Sequence, residues 1–186
     1  WYQHEELGYN YRMSNVIAGV VRGQYPYLEE HIAQKKAIYQ RYQEGFRNLP
    51  VTMNPYDAQN SQPNFWLSCL LIDKSAMCPQ VRGEREALYI SEPGKSCPTE
   101  ILETLAQCNA EGRPIWKPMH MQPIYRMHGF VTAQGNGRAN TNAYIAGSGV
   151  DVGMDIFERG LCLPSDNKMT VEKQEQVIEI VKSCFT

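Results

Sequence analysis

The sequence lacks a long apolar run and a run of like charge. Even its longest apolar stretches are short, such as Cys69–Ile72. A membrane-spanning helix needs about 18 or more consecutive apolar residues. Eighteen basic and twenty acidic side chains leave a formal net charge of −2, and no basic patch is present that would follow a phosphate backbone. These absences predict a soluble protein with neither a membrane nor a nucleic acid as partner.

A secretory signal and closely spaced cysteines are also lacking. Residues 1–15 are polar, aromatic and acidic, without the basic, apolar and small-residue segments of a signal peptide. The six cysteines lie nine or more residues apart, so no C-x-x-C pair is available for zinc or for thiol exchange. We therefore expect a cytoplasmic protein with reduced thiols, with Cys69, Cys108 and Cys184 on apolar faces. The four histidines are too dispersed to predict a metal site.

What the sequence does contain is ample material for a core, since 42% of its 186 residues are hydrophobic and 10% are aromatic. That length suits one sizeable core or a core with an appendage. Helical spacing and capping residues predict helices at 15–24, from 28 to about 47, at 98–109, at 152–159 and after Thr170. Apolar runs predict strands within 64–73 and at 161–163.

This order of elements predicts an α/β (α+β layered) fold after a helical lead-in. The apolar stripe of the second helix is predicted to be Leu28, Ile32, Tyr39, Tyr42, Phe46 and Leu49. After Pro50 the predicted elements change from long helices to strands, turns and shorter helices. This change predicts a boundary between a lead-in over 1–50 and a small α/β domain over 51–186. Residues 126–150 are rich in Gly and Asn and predict a long loop, of the kind that is usually functional or mobile. Their glycine patterns lack the Lys-Ser/Thr ending of a phosphate-binding loop.

Two clusters carry recognition chemistry. Three prolines stiffen residues 113–123, which we expect to present Trp116, Lys117, His120 and Gln122 as a binding wall, with a proline-rich surface strand as the alternative. The second cluster is Asn10 and Arg12, which lie just before the first helix. Residue types alone leave open whether these two bind a ligand or instead cap the helix and pair with Glu5 or Glu6.

Together these clusters resemble a known family. The stretches GYNYRMSNVIAGV from Gly8, EGRPIWKPMHMQPIY from Glu111 and IFERGLCLPSDNKMTVEKQEQVIEIV from Ile156 are similar, in the same order, to three motifs of the PLP-dependent nucleotide-sugar aminotransferases of the DegT/DnrJ/StrS family. The resemblance covers almost all of residues 4–186.

The resemblance implies the C-terminal small domain of a fold-type I PLP-dependent aminotransferase, with residues 1–50 as active-site arm and helical connector. The Schiff-base lysine and the aspartate that pairs with the pyridine nitrogen would then lie in a preceding cofactor domain. No catalytic residue is therefore assigned in this chain, and by itself we expect it to be inactive.

Residue roles follow from the resemblance at the matching positions. Asn10 would donate to the PLP phosphate of the neighbouring subunit in a homodimer, and Arg12 would bind an anionic group of the sugar nucleotide or of the amino donor. Lys117 and His120 would line the nucleotide-sugar channel, with Trp116 as an apolar wall.

The implied reaction moves an amino group from glutamate to a nucleotide-linked keto-deoxysugar, and the W-K-P-M-H version is similar to members that act on UDP-N-acetyl 4-keto-6-deoxy sugars. Two alternatives remain: a PLP-dependent sugar dehydratase on the same scaffold, and a free-standing nucleotide-sugar-binding or interaction module.

Overall fold

The computed structural model describes residues 2–83, 86–125, 127–128 and 151–186. Most of the predicted loop at 126–150, with its glycine patterns, lies outside these residues. The chain divides into two compact units: a first unit of Trp1–Tyr11 and Pro114–Glu158, and a second unit of Arg12–Arg113 and Arg159–Thr186. The predicted boundary at residue 50 stays a prediction.

The described residues form helices and short strands in the predicted mixed order, which confirms the α/β class. The helices are α1 Asn15–Gln24, α2 Leu28–Gly45, α3 Pro98–Gln107, α4 Val152–Arg159 and α5 Val171–Ser183. The strands are β1 Val51–Met53, β2 Ser68–Ile72, β3 Gln80–Arg82, β4 Ala87–Tyr89, β5 Arg113–Pro114 and β6 Gly160–Leu163.

Local signals fix the helix ends. The Ser14 hydroxyl accepts from the Ile17 amide at 3.3 Å, and Thr170 caps α5 by accepting from the Lys173 amide at 3.3 Å, as the sequence predicts. Pro26 lies in a 3-10 turn, Tyr25–Tyr27, that separates α1 from α2. The second helix ends at Gly45, two residues before its predicted end.

Strands of the main sheet run in the order β1-β2-β6-β5, and β1 and β6 both pair antiparallel with β2. Val51 lies opposite Ile72, and Cys69 lies opposite Cys162. The strands β3 and β4 form a separate antiparallel pair. The predicted buried strand at 64–73 is therefore shorter than expected, because only Ser68–Ile72 is a strand and its residues alternate between buried and partly exposed.

The core of the second unit lies between this sheet and the helices α2, α3 and α5. Its buried side chains include Tyr39, Tyr42, Leu70, Ile72, Ile101, Leu105, Leu161, Val177 and Val181. The predicted stripe of α2 is wrong at its start, where Leu28 is exposed and Ile32 is only partly buried. Only the second half of this helix lies against the sheet and α5, since burial begins at Ile38.

Cysteines are free thiols at all six positions. The prediction for Cys108 is wrong, since this residue is exposed: α3 ends at Gln107, so Cys108 lies beyond its apolar face. The Sγ atoms of Cys69 and Cys162 lie 3.6 Å apart across the paired strands. Within the described part of the chain, no helix has both the length and the apolar character needed to cross a bilayer.

Candidate functional site

Gln122 joins residues 2–4 to the proline-rich segment within the first unit. Its side chain is 1% exposed, and its Oε1 accepts from the His4 amide at 2.7 Å. Its Nε2 donates to the main-chain oxygens of Tyr2 and Lys117, both at 2.9 Å. One acceptor and two donor hydrogens are thereby satisfied. The expectation that Gln122 presents its side chain to a ligand is wrong. Its amide instead forms the hydrogen bonds that hold residues 2–4 against the proline-rich segment.

The Trp116 ring forms a second contact between the proline-rich segment and the N-terminal residues. The rings of Tyr2 and Trp116 stack with centroids 5.2 Å apart and planes 18° from parallel. The Ile124 amide also donates to the His4 carbonyl at 3.2 Å. Trp116 remains 43% exposed, so the stacked pair still offers an aromatic surface to solvent.

Lys117 is partly buried beside the same N-terminal residues. Its Nζ donates to Gln3 Oε1 at 2.9 Å, and burial lowers the pKa of its ammonium. Among the described residues, no carboxylate forms an ion pair with Lys117. A cation held by a neutral amide keeps an uncompensated positive charge that attracts an anionic ligand.

His120 lies in a 3-10 turn, Met119–Met121, and contacts Asp151. Its Nε2 is 2.5 Å from Asp151 Oδ2, and the side chains of the two residues are 13% and 9% exposed. Asp151 precedes α4 and caps it, because its Oδ1 accepts from the Met154 amide at 2.9 Å. His120 is thus held at the N-terminus of α4.

Asn10 and Arg12 are both exposed, on either side of Tyr11. Tyr11 has a φ of +59°, a left-handed backbone conformation that is uncommon for a bulky residue. Neither predicted alternative role is seen: Ser14 caps α1, and within the described ranges Arg12 forms no ion pair with Glu5 or Glu6. Asn10 belongs to the first unit and Arg12 to the second.

The structure therefore brings Trp116, Lys117 and His120 together with residues 2–4 in one unit. Sequence reasoning missed Asp151 and the contacts of Tyr2 and Gln3. An Asp directly before a helix is a recognisable capping signal, but its contact with a residue 31 positions away is not. In the described residues, no group of three or more His, Cys, Asp or Glu side chains is placed to hold a metal ion.

Comparison with known proteins places these residues in a family context. Residues 1–182 match the model of the DegT/DnrJ/EryC1/StrS aminotransferase family. EpsN of Bacillus subtilis (strain 168), which carries the name of a pyridoxal phosphate-dependent aminotransferase, is 31% identical over 184 residues, 99% of this chain and 39% of EpsN. The GDP-perosamine synthase of Escherichia coli O157:H7 is 25% identical over 124 residues, 67% of this chain and 28% of the synthase.

A similar fold is found among solved structures. The crystal structure of a DegT DnrJ EryC1 StrS aminotransferase from Brucella abortus superposes with a TM-score of 0.64 at 16% sequence identity, covering all of this chain and 39% of that one. The chain thus spans about two fifths of the length of EpsN and of the Brucella protein.

Proposed function

The chain belongs to the DegT/DnrJ/EryC1/StrS aminotransferase family, and on that premise we propose that it is the C-terminal part of a PLP-dependent sugar aminotransferase. The proposed enzyme moves an amino group from glutamate to a nucleotide-linked keto-deoxysugar, with a UDP-N-acetyl 4-keto-6-deoxy sugar as the proposed substrate. The chain by itself is proposed to be inactive.

One observation carries the proposal: Trp116, Lys117 and His120 lie in one unit and combine an aromatic surface, a cation and an anchored imidazole. A nucleotide sugar presents a flat base, a diphosphate and a polyhydroxylated ring. An aromatic plane stacks on such a base, a lysine attracts the diphosphate, and an imidazole hydrogen-bonds to polar groups. Together the three side chains match the chemically distinct parts of that ligand.

Asn10 and Arg12 supply hydrogen-bond donors for the anionic groups of the cofactor, the sugar nucleotide or glutamate. Both side chains are exposed, and with one neutral amide and one guanidinium their chemistry fits a phosphate or a carboxylate. We assign Asn10 to the PLP phosphate of a partner subunit in a homodimer, and Arg12 to an anionic group of the sugar nucleotide or of glutamate. When bound, PLP supplies the electron sink for amino transfer.

The proposal is tested on the full-length protein with glutamate and a panel of nucleotide-linked keto-deoxysugars. The expected result is 2-oxoglutarate release that requires a keto sugar, with a product in which an amine replaces the keto oxygen. A sugar product that has lost water and carries no amine identifies the dehydratase alternative. Release of neither product with any sugar contradicts both enzyme assignments.

Lys117→Gln gives a residue-level test of the same proposal. Loss of the cation should raise KM for the nucleotide sugar about tenfold, because a charge-assisted contact to the diphosphate is removed. Lys36→Gln, on the exposed face of α2, is the matched control and should leave KM unchanged. Equal KM values for the two variants would remove Lys117 from the site.

A further inference from the structure

We propose that Asp151 is a positioning residue that fixes the His120 imidazole in the substrate-binding wall by holding it against the first turn of α4. The inference deepens the proposed function, on which the assignment of His120 to that wall rests. Asp151 is not proposed to touch the substrate.

The first argument is how the two carboxylate oxygens of Asp151 are divided. Oδ1 accepts from the Met154 amide at 2.9 Å, and the main-chain oxygen of Asp151 accepts from the Asp155 amide at 3.0 Å. This cap fixes the orientation of the carboxylate, because its first oxygen is committed to the helix. The second oxygen, Oδ2, then lies 2.5 Å from His120 Nε2.

The second argument is that the surrounding packing leaves the pair little freedom. Both side chains are largely buried, at 13% and 9% exposure. A Cβ added to Gly153, in the first turn of α4, would lie 3.4 Å from Pro118 Cγ and 3.6 Å from His120 Cε1. The backbone of α4 therefore lies close to the 118–120 segment, with room for no more than a methyl group between Gly153 and the His120 ring.

The third argument is chemical. A carboxylate can only accept hydrogen bonds, so the hydrogen of this contact is on Nε2 of His120. In a neutral imidazole, a hydrogen fixed on Nε2 leaves Nδ1 as the acceptor, as carboxylate partners do for functional histidines elsewhere. Asp151 thereby sets the orientation of His120 and keeps a hydrogen on its Nε2.

Asp151→Ser in the full-length protein separates positioning from helix capping. Serine keeps the cap of α4, but its side chain is too short to reach His120. We expect KM for the nucleotide sugar to rise about tenfold, with kcat changed less than about twofold and KM for glutamate unchanged, because binding geometry at the wall is lost rather than chemistry. Asp151→Glu restores a carboxylate and should recover part of the loss.

Thr170→Ala is the matched control, since it removes the cap of α5 and Thr170 belongs to the second unit. It should lower the melting temperature and leave both KM values unchanged. A double variant supplies the decisive comparison: in a His120→Gln background, Asp151→Ser should raise KM no further. Additive effects, or a KM change in Thr170→Ala equal to that in Asp151→Ser, would overturn the positioning role.

A readout independent of turnover separates this inference from the proposed function. With 15N-labelled histidine, the Nε2 of His120 should give the signal of a nitrogen that carries a fixed hydrogen in the wild type and in Thr170→Ala, and an averaged signal in Asp151→Ser. Unchanged His120 signals in Asp151→Ser overturn the inference whatever the enzyme does. Altered signals in a protein that aminates no sugar support the positioning of His120 and count only against the proposed function.

Discussion

Tyr42 links the end of α2 to the segment that follows β6 in the second unit. The side chain is fully buried, and its hydroxyl donates to the main-chain oxygen of Pro164 at 2.7 Å. Its ring stacks on Phe46 with centroids 5.7 Å apart. Because an ionised phenol would be poorly solvated there, burial raises the pKa of Tyr42 well above its usual value of 10.0.

Tyr42→Phe should lower the free energy of unfolding at pH 7 by about 1–2 kcal/mol, because a buried hydrogen bond is lost and the Pro164 carbonyl is left without it. The difference should shrink above about pH 10. The raised pKa means that only the folded state retains the Tyr42 proton there, so wild-type stability falls by up to about 1.4 kcal/mol per pH unit. Urea denaturation from pH 7 to pH 11 measures both effects.

Tyr25→Phe is the control for this pair of measurements, because the Tyr25 side chain is exposed. It should unfold like the wild type at every pH. A constant difference between Tyr42→Phe and the wild type up to pH 11 would contradict the linkage to Tyr42.

Residue types predicted a cluster around Trp116 but not which members face solvent. The three prolines predicted a stiffened segment, although Met119–Met121 forms a 3-10 turn. By residue type, Gln122 has the same polar character as Lys117. Gln122 is buried because its partners, Tyr2 and His4, lie about 120 positions earlier in the chain. No local pattern carries that information, whereas the Ser14 and Thr170 caps depend only on residues within one helical turn.

At the scale of elements, α5 contains a buried polar residue within its apolar face. Gln174 is fully buried; its Nε2 donates to the Ile38 carbonyl at 2.7 Å, and its Oε1 accepts from Arg41 at 2.6 Å. Both partners belong to α2, so this amide fixes how the two helices meet. Helical spacing predicts that Val177 and Val181 are buried, as they are, but it assigns a glutamine to the solvent side by default.

Gln174→Ala should therefore lower the free energy of unfolding by about 2 kcal/mol, since two hydrogen bonds and buried side-chain volume are lost together. Gln176→Ala is the matched control on the same helix, because Gln176 is exposed, and it should change stability by less than about 0.5 kcal/mol. Chemical denaturation of the two variants tests this prediction, and similar losses in both would show that Gln174 does not link the helices.

At the scale of the whole molecule, the fold class and the membership of the family were predictable because they depend on features spread over the chain. The apolar spacing of α1 was also predicted, yet its residues lie in solvent. Val16 is 75% exposed and Val20 is 59% exposed. Periodicity shows that a helix has an apolar face but does not show whether the same chain covers it.

An uncovered apolar face predicts self-association of the 186-residue chain. The double variant Val16→Gln/Val20→Gln should shift sedimentation velocity profiles toward the monomer. Val81→Gln makes the same change at a valine that is 69% exposed on β3 and should not alter the profile. If Val81→Gln reduces association as much as the α1 variant does, the apolar face of α1 is not the contact.

The Gln122 hydrogen bonds have a consequence during synthesis on the ribosome. The Tyr2 carbonyl and the amide that binds it are separated by 120 residues, so residues 2–4 are synthesised long before Gln122. At about 5–20 residues per second, that interval is on the order of ten seconds. Through that interval the Tyr2 ring lacks Trp116, and the residues beside it lack Gln122, which makes this short stretch a target for chaperones that bind nascent chains.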